Sequence, residues 1–268
     1  MLLKVELRDE ADKRLALLGE ERGLFWVTAK GARKSKRRFV GVLEPFTRGV
    51  YRVARYGKGE YLDSVQVTGA RDRIPGDLGR YYVACYACEL ATRLLRVGTP
   101  APGYFELVTG LLDDLQASEE TAHQLWRAVF EAGVLELQGL WPAPTMDVEG
   151  AEWLAVDVTT GEIAVGSAPE PGEAEAPPVR GAQVMVSALL WEVFERLRQI
   201  PLAEARRLAP PVAELRPINR LTALMVRDQL QLELNSVRLL NQFQKRALEA
   251  AQAAAAPAEE PEDPEDSA

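Results

Sequence analysis

The sequence predicts an α+β protein: a small N-terminal β-barrel, then an α-helical domain with a small irregular, two-stranded insert lacking zinc ligands. Three observations predict it. Over residues 1–69, apolar and polar positions alternate in short runs separated by glycines, the period-2 signature of strands. After the turn "RDRIPGD" at 71–77 the apolar period lengthens to three or four, as in amphipathic helices. The charge divides at the same place. Residues 1–80 hold 18 Lys and Arg against 11 Asp and Glu, net +7; the remainder holds 14 against 29, net −15, within a total of −8.

The runs "LLKVEL", "KRLALLG", "GLFWVTAKG", "RFVGVLEPF", "GVYRVARYG" and "GEYLDSVQVTG" read as strands, being rich in aromatic and β-branched residues. Five or six such strands make a small barrel, and strand counting is compatible with an oligonucleotide-binding (OB) fold or an SH3-like barrel. The "GKG" at 57–59 lacks the spacing of a phosphate-cradling loop and reads as a hairpin turn. In "LGRYYVACYACELATRLLRV" the residues Leu78, Tyr81, Cys85, Cys88, Thr92 and Leu95 form a mostly apolar helical stripe. Helices are also predicted at about 103–116 and 118–137. In the stretch 141–166, "WLAVDV" and "EIAVG" joined by "TTG" predict a strand pair. An exposed loop at 168–181 follows, then helices at about 182–199, 201–208 and 217–249. From Pro257 onward six acidic residues and three prolines leave nothing to bury, so the end of the chain is expected to be disordered. The expected domains are a barrel at 1–76, a helical domain at 77–249 with its insert at about 139–181, and an acidic tail at 250–268.

Composition excludes several classes. Apolar residues at 47% and charged residues at 27% are ordinary for a soluble globular chain. No run approaches the roughly 18–20 apolar residues of a membrane span, and with Lys4, Glu6, Arg8 and Asp9 so near Met1 no signal peptide is expected. Two cysteines make no disulfide framework, so a cytoplasmic location is expected. Cys85 and Cys88 form a C-x-x-C, but a closed zinc site needs about four ligands. The chain offers one such pair and a single histidine, His123. Cysteines on an apolar helical stripe are expected to act as core residues. His123 has no triad or general-base partner pattern around it. No catalytic residues, metal or cofactor are expected.

One segment stands apart. Lys30, Arg33, Lys34, Lys36, Arg37 and Arg38 crowd nine positions between two strands, with Arg52, Arg55 and Lys58 on the strands that follow. Uncompensated charge cannot be buried, so these cations belong on an exposed loop. The rings of Phe25, Trp26, Phe39, Phe46, Tyr51 and Tyr56 are interleaved with them. Cations that meet phosphates beside rings on which bases can stack are the chemistry of nucleic-acid binding. Alternation alone does not say which rings are exposed.

The stretch "RDEADKRLALLGEERGLFWVTAKGARKSKRRFVGVLEPFT" resembles the N-terminal domain of the RecO family of bacterial DNA repair proteins. The shared features are the "EAD" turn at Glu10–Asp12, "AKGAR" at 29–33, the basic loop at 34–38 and "LEPF" at 43–46. "GKGEYLDSVQVTG" and "YYVACYACELATRLL" extend the resemblance over about 100 residues, and "RAVFEAGVLELQGL" and "LNSVRLLNQF" are similar to later family segments. The resemblance implies an OB-fold followed by a helical domain. It also implies binding to single- and double-stranded DNA and ATP-independent annealing of complementary strands. The implied partners are RecR, in many bacteria RecF, the acidic tail of the single-stranded-DNA-binding protein, and indirectly RecA. It implies that the tail peptide docks on the helical domain, which makes Arg127 the candidate cation for it. The family often carries a four-cysteine zinc module. Residues 141–168 contain no cysteine, so no zinc is expected here.

The reading is a non-enzymatic recombination mediator in the cytoplasm, associated with the nucleoid, whose DNA contacts are Lys30, Arg33, Lys34, Lys36, Arg37, Arg38, Arg52, Arg55 and Lys58. The alternative is a non-enzymatic adaptor whose basic barrel docks acidic protein partners. A strand-annealing assay separates them, because an adaptor leaves naked strands unpaired.

Overall fold

In the computed structural model the described residues are 1–118, 123–144, 147–169, 183–232, 234–239 and 242. The alternating N-terminal runs form β1 (Leu2–Arg8), β2 (Asp12–Gly19), β3 (Gly23–Ala29), β4 (Arg48–Tyr56) and β5 (Gly59–Gly69). They make one sheet in the order β1-β2-β3-β5-β4, antiparallel except where β3 meets β5 at Thr28↔Tyr61. This is OB topology in a partly open form. The β1 edge reaches the residues just before β4, where the Leu2 N–H donates to the Thr47 carbonyl at 3.0 Å and the Phe46 N–H donates to the Leu2 carbonyl at 2.8 Å. Leu15, Leu17, Val27 and Leu62 fill the inside.

The predicted strand at 38–46 is absent; β3 and β4 are joined by an irregular loop. Gly41 sits at φ +69° and Pro45 lacks an N–H, so neither supports a ladder. Phe39 and Leu43 are both buried at a spacing of four, which one face of a strand would also give, so the segment imitates a strand in sequence.

The helical part comprises α1 (Leu78–Leu94), α2 (Pro102–Ala117), α3 (His123–Leu137), α4 (Ala188–Leu197), α5 (Leu202–Leu208) and α6 (Arg216–Leu230). Asp77 caps α1 by accepting from the Arg80 N–H at 2.9 Å. The buried face of α1 includes Val83, Ala84, Ala87, Cys88, Leu90 and Ala91; of the predicted stripe Cys88 is buried, while Leu78 is exposed and Cys85 half-buried. Apolar residues surround this helix because the barrel packs on one side and α2 and α3 on the other, so periodicity could not select the face.

The two strands expected in the insert are β7 (Trp153–Asp157) and β8 (Glu162–Val165). They lie in a four-stranded sheet, β6-β8-β7-β9, with β6 (Ala143–Pro144) and β9 (Gln183–Ser187). The helix predicted from 182 therefore begins at Ala188. The alternating Val184 and Val186 before it face the core and pair with β7, and Ser187 caps α4 by accepting from the Leu190 N–H at 3.2 Å. The helix predicted over 217–249 is interrupted at Gln231, which takes a left-handed conformation. Asn235 and Ser236 then donate backbone N–H bonds to the Glu89 carboxylate of α1 at 3.0 and 2.8 Å. Burial raises the Glu89 pKa, but these bonds outweigh it and hold the carboxyl below its ordinary value. Most of the predicted loop at 168–181 and the whole tail at 250–268 lie outside the described residues.

Candidate nucleic-acid interface

The basic loop is built from the inside. Ala32, Phe39 and Leu43 enter the barrel core and force the charged residues between and around them outward, so Arg33, Lys34, Lys36, Arg37 and Arg38 are exposed. Its first turn is tied to the β1–β2 turn. The Gly31 N–H donates to Asp12 Oδ1 at 2.7 Å, the Arg33 N–H to the Ala11 carbonyl at 2.9 Å, and the Arg33 guanidinium to the Asp9 carbonyl at 3.1 Å. Gly31 takes φ +67°, a conformation that favours glycine. The "EAD" and "AKGAR" segments are thus two halves of one hydrogen-bonded corner. "LEPF" closes the other end: Leu43 lies in the barrel core, and the buried Phe46 ring meets Tyr81 of α1 edge-on at 5.9 Å.

The start of β5 collects the remaining cations. Glu60 accepts from Arg55 at 2.7 Å and from Arg22, which also lies over the Phe25 ring at 4.1 Å. The Arg55 and Arg22 hydrogen bonds hold the Glu60 carboxyl below its ordinary value against the opposing effect of burial. The Lys30 ammonium sits 4.6 Å from the centre of the Tyr61 ring. Arg38 donates to the carbonyls of Leu62 and Asp63 at 2.9 and 2.6 Å. Residues 60 to 63 therefore bring together Arg55, Lys30 and Arg38, which are distant in sequence. Between the corner at Arg33 and the anchor at Arg38, Lys34, Lys36 and Arg37 form an arc that makes no ion pair among the described residues. The same holds for Arg52 and Lys58, both exposed. Such cations are open to phosphate without first breaking a protein contact.

Sequence reasoning named six rings. Phe39 and Phe46 are buried, Phe25 and Trp26 lie under Arg22 and Arg14, and the Tyr51 hydroxyl donates to the Thr47 carbonyl. Tyr56 is the exposed one. Arg22 and Tyr61 were missed; the parallel β3–β5 contact that brings them in has no local sequence signal.

Arg127 is placed elsewhere. It is buried, and its guanidinium donates to Glu131 Oε1 at 2.8 Å. Glu131 is fully buried and also accepts from the Tyr86 hydroxyl and the Thr222 hydroxyl, each at 2.6 Å. Burial alone would lower the Arg127 pKa, but the Glu131 charge holds it above its ordinary value. The geometry makes Arg127 part of the packing between α1, α3 and α6. Cys88 is buried and its thiol is pushed well up by desolvation, the environment of an inert core cysteine. Among the described residues no three His, Cys, Asp or Glu side chains are grouped to hold a metal. No described helix is long and apolar enough to cross a membrane.

Two family models cover nearly all of the described chain: Recombination protein O N terminal over residues 1–71 and Recombination protein O C terminal over residues 75–238. This chain belongs to the RecO family. Among similar proteins, the DNA repair protein RecO of Anaeromyxobacter sp. (strain K) is 42% identical over 135 residues, covering 50% of this chain and 52% of that protein. That of Myxococcus xanthus (strain DK1622) is 38% identical over 134 residues, covering 50% and 54%. That of Geobacter sulfurreducens is 38% identical over 135 residues, covering 48% and 53%. The chain spans about half the length of the curated relatives it matches. The break between the two RecO models, at 71–75, falls on the turn that leads from β5 into α1.

Proposed function

We propose that this RecO-family chain is a non-enzymatic DNA repair and recombination mediator. It binds single- and double-stranded DNA, anneals complementary strands without ATP and, with RecR, assists RecA loading onto strands covered by the single-stranded-DNA-binding protein. The barrel at 1–76 carries the DNA and the helical domain at 77–249 carries protein partners, in the cytoplasm at the nucleoid. The observation that carries this reading is the arc of Lys34, Lys36 and Arg37: exposed, without ion pairs among the described residues, and held in place at both ends by buried side chains and backbone hydrogen bonds. Lys30, Arg33, Arg38, Arg52, Arg55 and Lys58 extend the positive surface around it. Family membership and the names of the relatives support the DNA repair role.

Annealing in this mechanism needs no covalent chemistry. Cations on one strand's phosphates lower the repulsion that opposes a second strand, and release of counterions drives the association. Charge reversal at Lys34, Lys36 and Arg37 is expected to weaken binding to DNA of any sequence. It should also flatten the dependence of log affinity on log salt by roughly 0.7–0.9 for each phosphate no longer neutralised. Titrations over a range of salt concentrations measure both, and an unchanged slope removes the arc from the interface.

A further inference from the structure

The cations do not account for the outer face of β3, β5 and β4. The pairings Thr28↔Tyr61, Ala54↔Tyr61 and Tyr56↔Gly59 place Trp26, Tyr61 and Tyr56 on that face, opposite Val53 and Leu62 in the core. Two of these rings already have partners. The Arg14 guanidinium lies 4.3 Å from the centre of Trp26, and Tyr61 is held under Lys30. The Tyr61 ring also lies across Gly59, where a Cβ would come within 2.7–2.8 Å of its atoms, so only glycine leaves the ring this position. Tyr56 is different. It is 69% exposed beside the tight β4–β5 turn at Gly57 and Lys58, with its ring centre 6.1 Å from that of Tyr61 and inclined by 44°.

A cation serves the phosphates of either strand form equally, whereas an exposed ring offers a surface only to a base that has left its own stack. We propose that Tyr56, backed by the fixed Tyr61, is a stacking site for an unpaired nucleobase and makes this interface favour single-stranded over duplex DNA. The inference rests on the DNA-binding reading above and adds to it the residue that tells the two strand forms apart. Tyr56 is a contact residue here; Tyr61, Lys30 and Gly59 position it.

The test uses the full chain with a single-stranded oligonucleotide, the same oligonucleotide carrying a run of abasic sites, and its duplex. Tyr56→Ala is expected to lower single-strand affinity on the order of 5- to 150-fold and duplex affinity by less than about twofold. Tyr56→Phe keeps the ring and should stay within about twofold of the wild type on all three. On the abasic strand the Tyr56→Ala and unchanged proteins should bind alike. Because the side chain is exposed, the thermal unfolding transition should not move, which separates loss of the site from loss of fold. Equal losses on single strand and duplex, or no loss on either, overturn the proposal while leaving the phosphate contacts standing. Absence of DNA binding by the unchanged protein overturns both readings together.

Discussion

Glu131 shows how much one residue can decide. Its carboxylate is fully buried and receives Arg127, Tyr86 and Thr222, residues from three helices. A buried ion pair contributes little over an apolar replacement, but removing one partner strands the other charge in a medium that solvates it poorly. Glu131→Ala is therefore expected to cost about 3–5 kcal/mol of stability, read from the urea unfolding midpoint, with Glu131→Gln costing less because it retains an acceptor for the two hydroxyls. Arg127 looked from the sequence like a surface cation facing a peptide. Its spacing of four from Glu131 was visible, yet an i,i+4 pair reads alike on a wet or a dry face, and only packing against Tyr86 and Thr222 shows which this is. The basic loop was legible for the opposite reason. So many cations cannot be buried together, which made their exposure predictable before any fold was known.

At the level of elements, strands and helices followed from period and punctuation, and the misassignments have identifiable causes. The loop at 38–46 contains apolar residues that enter the core from an irregular backbone, so it imitates a strand. Gln183–Ser187 runs straight into α4, and the β-branched pair inside it was outweighed by the helical pattern after it. The junction of α1 and α3 carries its own prediction. Gly79 leaves the space that the His123 ring occupies, since a Cβ there would overlap the ring atoms. Burial lowers the imidazole pKa from its ordinary 6.5, Asp77 opposing this and Arg80 adding to it. As the pH falls below that value, the unfolded chain takes up a proton that the folded chain resists. Stability is then full above it and lost progressively down to the folded pKa. The unfolding midpoint should drop as the pH is lowered through 6.5, and drop less in His123→Gln.

Across the whole molecule, the barrel and the helices are joined by a charged residue that the sequence did not single out. Arg71 follows β5; its side chain is buried, donating to Asp113 of α2 at 2.7 Å and to the Phe46 carbonyl at the end of the basic loop. Arg48 adds a second cation to Asp113 at 3.6 Å. Arg71→Ala removes these bonds and should lower stability by about 2–4 kcal/mol in thermal or urea unfolding. DNA affinity should change by less than about twofold, because Arg71 is buried away from the loop cations that meet phosphate. An equal fall in affinity and stability would show that the loop's geometry depends on this clamp.

The amino-acid order by itself determined the division into barrel and helices, the sign of each part's charge and the exposure of the loop cations. Each is set by local periodicity or by the solvation of charge, which neighbours in sequence already express. Tertiary structure alone decided which cations are engaged and which are open. The β4–β5 hairpin sets Arg55 on Glu60, but Lys30 and Arg38 reach residues 61–63 because β5 lies parallel to β3, a pairing between segments more than 30 residues apart with no local signature.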